Sequence, residues 1–195
     1  MLRQFAMILV LIFAFSGNAI AQDVDESGLH KQPWFTDSFL EFKDDLDEAA
    51  AEGKDLLIII EQAGCPYCAE LHDVNFTRTE ISDYIQENFI VVQLDLFGAR
   101  GTVDFDGQEM EERDLVFKWG AQFTPTTIIF SADKAGAETY QEAEVFRLPG
   151  YLKPFHYMSS LQYAAKDIYK EMSFQRYLQV KFEELAAQGI TPDVW

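Results

Sequence analysis

Cysteine, positive charge and long apolar runs are all scarce in this sequence. Only two of its 195 residues are cysteine, Cys65 and Cys68, with two residues between them. A small exported domain stapled by disulfides carries many cysteines at long spacings, so that class is excluded. A bridge across so short a loop also removes little chain entropy, and redox chemistry is the better reason for the pair. Lys and Arg number 15 against 33 Asp and Glu, a formal charge of −18. Such a surface repels phosphate backbones and anionic headgroups, which argues against nucleic-acid binding and electrostatic membrane attachment, and it attracts a basic protein partner. The longest apolar run, Phe5 to Phe15, has 11 residues. A bilayer-spanning helix needs about 20. No internal repeat is present, and a composition of 48% hydrophobic and 14% aromatic residues is that of one globular domain with a sizeable core, not of a disordered chain or a solenoid.

Arg3, the Phe5–Phe15 run and the small-x-small stretch Ala19-Ile20-Ala21 together make the pattern of a secretory signal peptide over residues 1–21, with cleavage expected after Ala21. The competing reading is an uncleaved anchor, for which the run is short. Cleavage leaves a soluble, exported chain, and losing Arg3 takes its charge from −18 to −19. Residues 22–35 read as a polar tail that becomes anchored at its aromatic end, Trp34-Phe35.

The remaining sequence alternates between the two periodicities. Ser38 with Glu41 forms a capping box, and Phe39, Phe42, Leu46 and Ala49/Ala50 recur at helical spacing until Gly53. Leu56 to Ile60 is a continuous apolar run that suits the centre of a sheet covered on both faces. A helix is expected over Cys65 to Phe76 with Pro66 in its first turn. Another starts from Thr77 and Glu80, with Ile81, Tyr84, Ile85 and Phe89 inward. Ile90 to Phe97 is the next strand, 98–108 an inserted loop or hairpin around Asp106-Gly107, and Glu109 to Trp119 a helix ended by Gly120. Strands follow at Thr126–Phe130 and Ala143–Leu148, then helices over Lys153–Met172, with Leu161, Ala164 and Ile168 inward, and Ser173–Gln188. The class is α/β, a mixed sheet with helices on both faces.

The chemistry sits where the first buried strand meets the next helix. Gly64-Cys65-Pro66-Tyr67-Cys68 places Cys65 at a helix N-terminus, where unsatisfied N–H groups and the positive end of the dipole favour the thiolate. Cys68, about one turn further in, is placed to resolve a mixed disulfide. As metal ligands, Cys65, Cys68 and His72 make only three, and a haem signature would need His where Ala69 stands. His72 reads as a partly buried helix residue, with thiol tuning as the alternative. Asp104, Asp106, Gly107 and Glu109 lack the spacing of a calcium loop and read as a hairpin turn. His156 and Asp44-Asp45 are assigned to solvated helix faces, and the stripe of Phe174, Tyr177, Phe182 and Leu185 to domain packing, with a partner groove as the alternative.

A strand, Cys-x-x-Cys at a helix start and a Thr-Pro ahead of a later strand together resemble the thioredoxin superfamily over about 36–172, with 173–195 as a C-terminal helical extension. Thr124-Pro125 matches that family's cis-proline, and Gly150 the glycine after its last strand. More narrowly, Glu61-Gln-Ala-Gly-Cys-Pro-Tyr-Cys, Phe105-Asp106-Gly107, Phe123-Thr-Pro-Thr and Leu148-Pro-Gly-Tyr resemble the SoxW-type periplasmic thioredoxins of sulfur-oxidising bacteria. The resemblance implies a thioredoxin-like fold and a thiol:disulfide oxidoreductase without a bound cofactor. Cys65 would attack, Cys68 would resolve, and Pro66, Tyr67, Thr124 and Pro125 would receive the substrate chain. It further implies a periplasmic location, a CcdA-like membrane thiol transporter as electron donor, and a protein disulfide as substrate, plausibly on the cysteine carrier protein of thiosulfate oxidation. The competing readings are a general oxidant or cytochrome c maturation thioredoxin, and a redox-inactive binding module of the same fold.

Three features depart from the family. Gly64 stands where thioredoxins place Trp, and Ile59 where they place a buried Asp. Pro66-Tyr67 is the glutaredoxin dipeptide, so a reduction potential is not transferable from either family. Glu61 would substitute for the Asp if it points beneath the dithiol; a solvent-facing Glu61 is the equal alternative.

Overall fold

The computed structural model describes residues 24–191. The expected signal peptide over 1–21 lies outside these residues, as do residues 192–195. The elements are α1 (Phe42–Ala51), β1 (Asp55–Glu61), α2 (Pro66–Glu70) continued by a π turn (Leu71–Phe76), α3 (Thr79–Asn88), β2 (Phe89–Asp95), β3 (Gly101–Val103), β4 (Glu109–Glu111), α4 (Glu112–Lys118), β5 (Thr126–Phe130), α5 (Tyr140–Ala143), β6 (Glu144–Pro149), α6 (Pro154–Ala165) and α7 (Phe174–Ala187). Four strands make one mixed sheet in the order β2-β1-β5-β6, and β3 and β4 form a separate hairpin. β1 runs parallel to β2 and antiparallel to β5, which is antiparallel to β6.

Leu56 to Ile60 can be apolar at every position because β1 is an inner strand with helices over both faces. Leu56, Ile58 and Ile60 pack with Phe42, Leu46, Leu115 and Trp119 on the side of α1 and α4. Leu57 and Ile59 pack with Leu71, Phe76, Ile85, Tyr157 and Leu161 on the other. All five are fully buried, each worth about 1.5–3 kcal/mol relative to exposure. This strand is therefore a rigid base for whatever follows its C-terminal end.

Several boundaries differ from the expected ones, for local reasons. Ser38 forms no capping box with Glu41: its hydroxyl donates to both Asp45 oxygens at 2.8 and 2.7 Å and accepts from the Leu40 N–H at 2.6 Å. Leu40 then turns at φ +62°, so Phe39 points outward with 93% of its surface exposed. Asp45, expected on a solvated face, is half-buried, and desolvation pushes its carboxyl up to about 6 although Ser38 and its hydrogen bonds act the other way. The Thr77 hydroxyl donates to the Asp73 carbonyl at 2.7 Å, and α3 begins two residues later. Phe89 opens β2, and Glu109–Glu111 pairs with β3, not with the helix that follows. Asp167 at φ +57° ends the helix expected to reach Met172, leaving Ile168 half-buried outside α6. α7 packs through Phe174 and Tyr177 on Phe146 and Tyr163, but none of its residues is fully buried.

The stretch before α1 is tied to the sheet. Gln93 Nε2 donates to the His30 carbonyl at 2.7 Å, the Thr36 N–H donates to the Val91 carbonyl at 2.8 Å, and Trp34 and Phe35 meet Phe76 edge-on. Among the described residues no helix is long and apolar enough to cross a membrane. The strand registers bring Glu61, Asp95, Thr126 and Pro149 to one edge of the sheet. The candidate site lies along that edge.

Candidate active site

Cys65 is the N-cap of α2, in extended conformation, and its Sγ accepts from the Cys68 N–H at 3.1 Å. Pro66 takes the first helical position, where its missing N–H costs nothing and its fixed φ suits the turn. No acidic residue occupies this first turn to oppose a developing thiolate. Cys65 and Cys68 form a disulfide with Cα atoms 5.2 Å apart. Cys68 has no exposed surface while Cys65 keeps 4%, so a partner reaches Cys65 first. Gly64, exposed ahead of the pair, has φ +69°. A tryptophan in that left-handed conformation would be strained, which accounts for the departure from the family pattern at this position.

The other side of the site is the loop before β5. Thr124-Pro125 is a cis peptide bond, and Thr124 Oγ1 donates to Cys65 Sγ at 3.3 Å. The Gly150 N–H, at φ +90°, donates to the Pro125 carbonyl at 2.7 Å, and Thr126 Oγ1 donates to the Phe123 carbonyl at 2.6 Å. These bonds fix Pro125 against the end of β6. Tyr67 and Phe123 stay mostly exposed, and Tyr67 stacks on Tyr151 with ring centroids 6.4 Å apart. Cys65, Cys68, Pro66, Tyr67, Thr124 and Pro125 thus gather in one place, as an exposed aromatic rim around a sparingly accessible sulfur.

A buried polar cluster joins the end of β1 to the turn that continues α2, and sequence reasoning found it only in part. Glu61 is buried, with 1% exposure, and not turned to solvent. His72, one turn beyond Cys68, is buried too, and its Nε2 lies 3.1 and 3.2 Å from the Glu61 oxygens. Gln93 Nε2 also donates to Glu61, and Gln32 Nε2 donates to His72 Nδ1 at 3.0 Å. Gln32 and Gln93 were not singled out from sequence. A lone glutamine inside the apolar run Ile90–Leu94 was the available signal, since a buried amide requires partners. Burial pushes the Tyr157 hydroxyl well above its ordinary range, and the nearby Glu61 charge adds to this.

The acidic loop has structural occupations. Asp104 Oδ1 accepts from Trp119 Nε1 at 3.0 Å and from the Phe105 N–H at 2.8 Å, and Lys118 bridges Asp104 and Asp106. Glu112, fully buried, accepts from the Asp95 N–H at 2.7 Å and from Arg100 Nε at 3.0 Å, clasping the hairpin to the end of β2.

Comparison with known proteins adds the family. Among solved structures the chain is similar to a thioredoxin-fold protein from Helicobacter pylori, at 21% identity and TM-score 0.54, covering 68% of this chain and 86% of that one. It is also similar to a thioredoxin from Thermus thermophilus, at 22% identity and TM-score 0.47, covering 63% and 82%. A third is the C-terminal domain of DsbD from Neisseria meningitidis in its oxidised form, at 16% identity and TM-score 0.44, covering 63% and 92%. No curated protein matches the chain. The model of the Thioredoxin-like domain family matches residues 42–165, well over half of the chain, and with the fold and the paired cysteines described above this protein belongs to that family.

Proposed function

We propose that the protein is a thiol:disulfide oxidoreductase that reduces a disulfide of a partner protein. The observation that carries this reading is Cys65 Sγ at the N-cap of α2, within 3.3 Å of the Thr124 hydroxyl and paired with the fully buried Cys68. In the reduced protein the Cys65 thiolate attacks one sulfur of the partner disulfide. That bond breaks, the displaced partner sulfur leaves as a thiolate and takes up a proton, and a mixed disulfide joins the partner to Cys65. Cys68, as thiolate, then attacks Cys65 Sγ and releases the second partner thiol. The protein is left with the Cys65–Cys68 disulfide, two electrons having passed to the partner. A dithiol donor must return these electrons before another turnover.

Each neighbour has a part in this reading. The helix N-terminus and the Thr124 hydroxyl lower the cost of charge on Cys65, Pro66 sets the first turn, and Tyr67 with Pro125 and Thr124 lines the contact for an extended partner segment. The leader pattern and the SoxW-like motifs support a periplasmic location, a CcdA-like thiol transporter as donor and a substrate in sulfur oxidation. The charge of −18 supports a partner with a basic docking patch. Insulin reduction in the presence of dithiothreitol tests the activity: the wild type should accelerate precipitation of the insulin B chain and Cys65→Ser should not. A wild type no faster than dithiothreitol alone would leave a redox-inactive binding module of the same fold.

A further inference from the structure

Lys181 on α7 carries a charge that the fold leaves without a counter-ion. An ammonium has three N–H donors and no acceptor. One donor goes to Ser159 Oγ at 3.1 Å, which can accept because its own hydrogen is used on the Phe155 carbonyl at 2.6 Å, and another goes to Gln162 Oε1. Both acceptors are neutral. The rings of Phe155 and Tyr177 flank the nitrogen, with centroids at 5.6 and 5.7 Å. Among the described residues the third N–H meets no acceptor, and no carboxylate lies within ion-pair distance. Desolvation and the charge of Lys166 push the ammonium down to about 8, and Glu184 opposes them only in part. A partly buried charge without a partner is costly. Lys181 also lines a cavity of about 300 Å³ between α3, α6 and α7, to which Ile81, Pro154, Phe155, Met158 and Leu185 give apolar walls. Arg78 and Glu80 line it too and pair with each other at 3.6 Å, so that carboxylate does not serve Lys181. None of the dithiol-site residues lines this cavity, and Lys181 and Leu185 lie beyond the matched family domain, 42–165.

We propose that this cavity binds a dissolved amphiphile with one carboxylate head and a short apolar chain, the head pairing with Lys181 and the chain lying along Phe155, Met158 and Leu185. The head supplies both the missing acceptor and the missing counter-ion, and a charge-assisted hydrogen bond is the stronger kind. The volume is at the lower end of the range for small-molecule sites, about 300–1,000 Å³, which keeps the chain short. An anionic membrane surface offers the same head chemistry, but a protein charge of −18 repels such a surface. A small dissolved anion responds instead to the charges nearest its site. The cavity shares no residue with the dithiol site, so the proposal is independent of the redox reading.

The experiment follows the methionine methyl signals of the full chain by NMR during titration with octanoate, octan-1-ol and acetate, the Met158 signal being the one missing in Met158→Leu. Octanoate should shift the Met158 methyl saturably. Octan-1-ol, the chain without the charge, and acetate, the charge without the chain, should each bind at least about tenfold more weakly. In Lys181→Met, which keeps an unbranched side chain and removes the charge, octanoate affinity should fall about tenfold, towards that of octan-1-ol. No saturable Met158 shift with octanoate, equal binding of octan-1-ol or of acetate, or an unchanged octanoate affinity in Lys181→Met would each overturn the proposal. So would a Met158 shift produced by raising the protein concentration alone, because a second copy of the chain would then occupy the cavity. The three wild-type titrations need no substitution beyond the one that assigns the signal and so do not depend on Lys181→Met folding.

Discussion

Replacing Thr124 by Val removes the hydroxyl that lies 3.3 Å from Cys65 Sγ and little else, since the two side chains have the same shape. Hydrogen bonds to charged groups contribute about 1.5–3 kcal/mol, and a long contact to sulfur belongs at or below the bottom of that range. About 1.4 kcal/mol corresponds to one pH unit, so the midpoint for Cys65 ionisation should rise by about one unit. At a pH below both midpoints the thiolate fraction falls about tenfold, but a more basic thiolate is intrinsically about threefold more nucleophilic per unit, leaving a net loss of about threefold. Above both midpoints the sign reverses and the variant should react about threefold faster. The assay is iodoacetamide alkylation of Cys65 across pH in a Cys68→Ser background, with Thr124→Ser as the control that keeps the donor. Crossing rate profiles are expected. An unchanged or lowered midpoint, or a rate reduced by the same factor at every pH, would show that the hydroxyl does not stabilise the thiolate.

Other expectations concern the frame. Gly64→Ala puts a Cβ at φ +69° and should cost about 1–2 kcal/mol in urea denaturation, while Gly101→Ala, in open space at a negative or extended φ, should cost less. Gly98→Ala would drive its Cβ into the buried Glu112 carboxylate, and displacing that group from Arg100 and the Asp95 N–H should cost about 2–3 kcal/mol in the same measurement. Asp45 is raised on folding from 3.8 to about 6 by desolvation. The folded chain therefore holds that proton more tightly, and the stability it contributes is lost as pH rises through about 6. Asp45→Asn keeps an acceptor for Ser38 and should stabilise by about 1–2 kcal/mol near pH 8, after discounting for partial exposure, with no gain near pH 3.5; equal effects at both would refute the assignment.

How much could be read from sequence depended on how local the determining contacts were. The run Leu56–Ile60 announced an inner strand because burial on both faces leaves no polar position, whereas Thr126–Phe130 opens on two buried threonines and read only as a strand. Gly64 to Cys68 was legible because the N-cap, the N1 proline and both sulfurs lie within five residues. The Ser38 cap was misread because Asp45, seven residues away, competes for its hydroxyl. Glu109–Glu111 carries no strand pattern of its own and is extended only because Gly101–Val103 pairs with it. The cluster of Gln32, Glu61, His72 and Gln93 joins four separate stretches of chain. No periodicity marks such a meeting, although each member is a polar side chain that burial obliges to find partners.

The central claim is that Cys65 attacks and Cys68 resolves. It is tested most directly by incubating reduced Cys68→Ser and reduced Cys65→Ser with a disulfide-bearing protein partner and weighing the products by mass spectrometry. The expected result is a persistent mixed disulfide through Cys65 in the first variant and none in the second. A stable adduct through Cys68 in Cys65→Ser, with none in Cys68→Ser, would contradict the account.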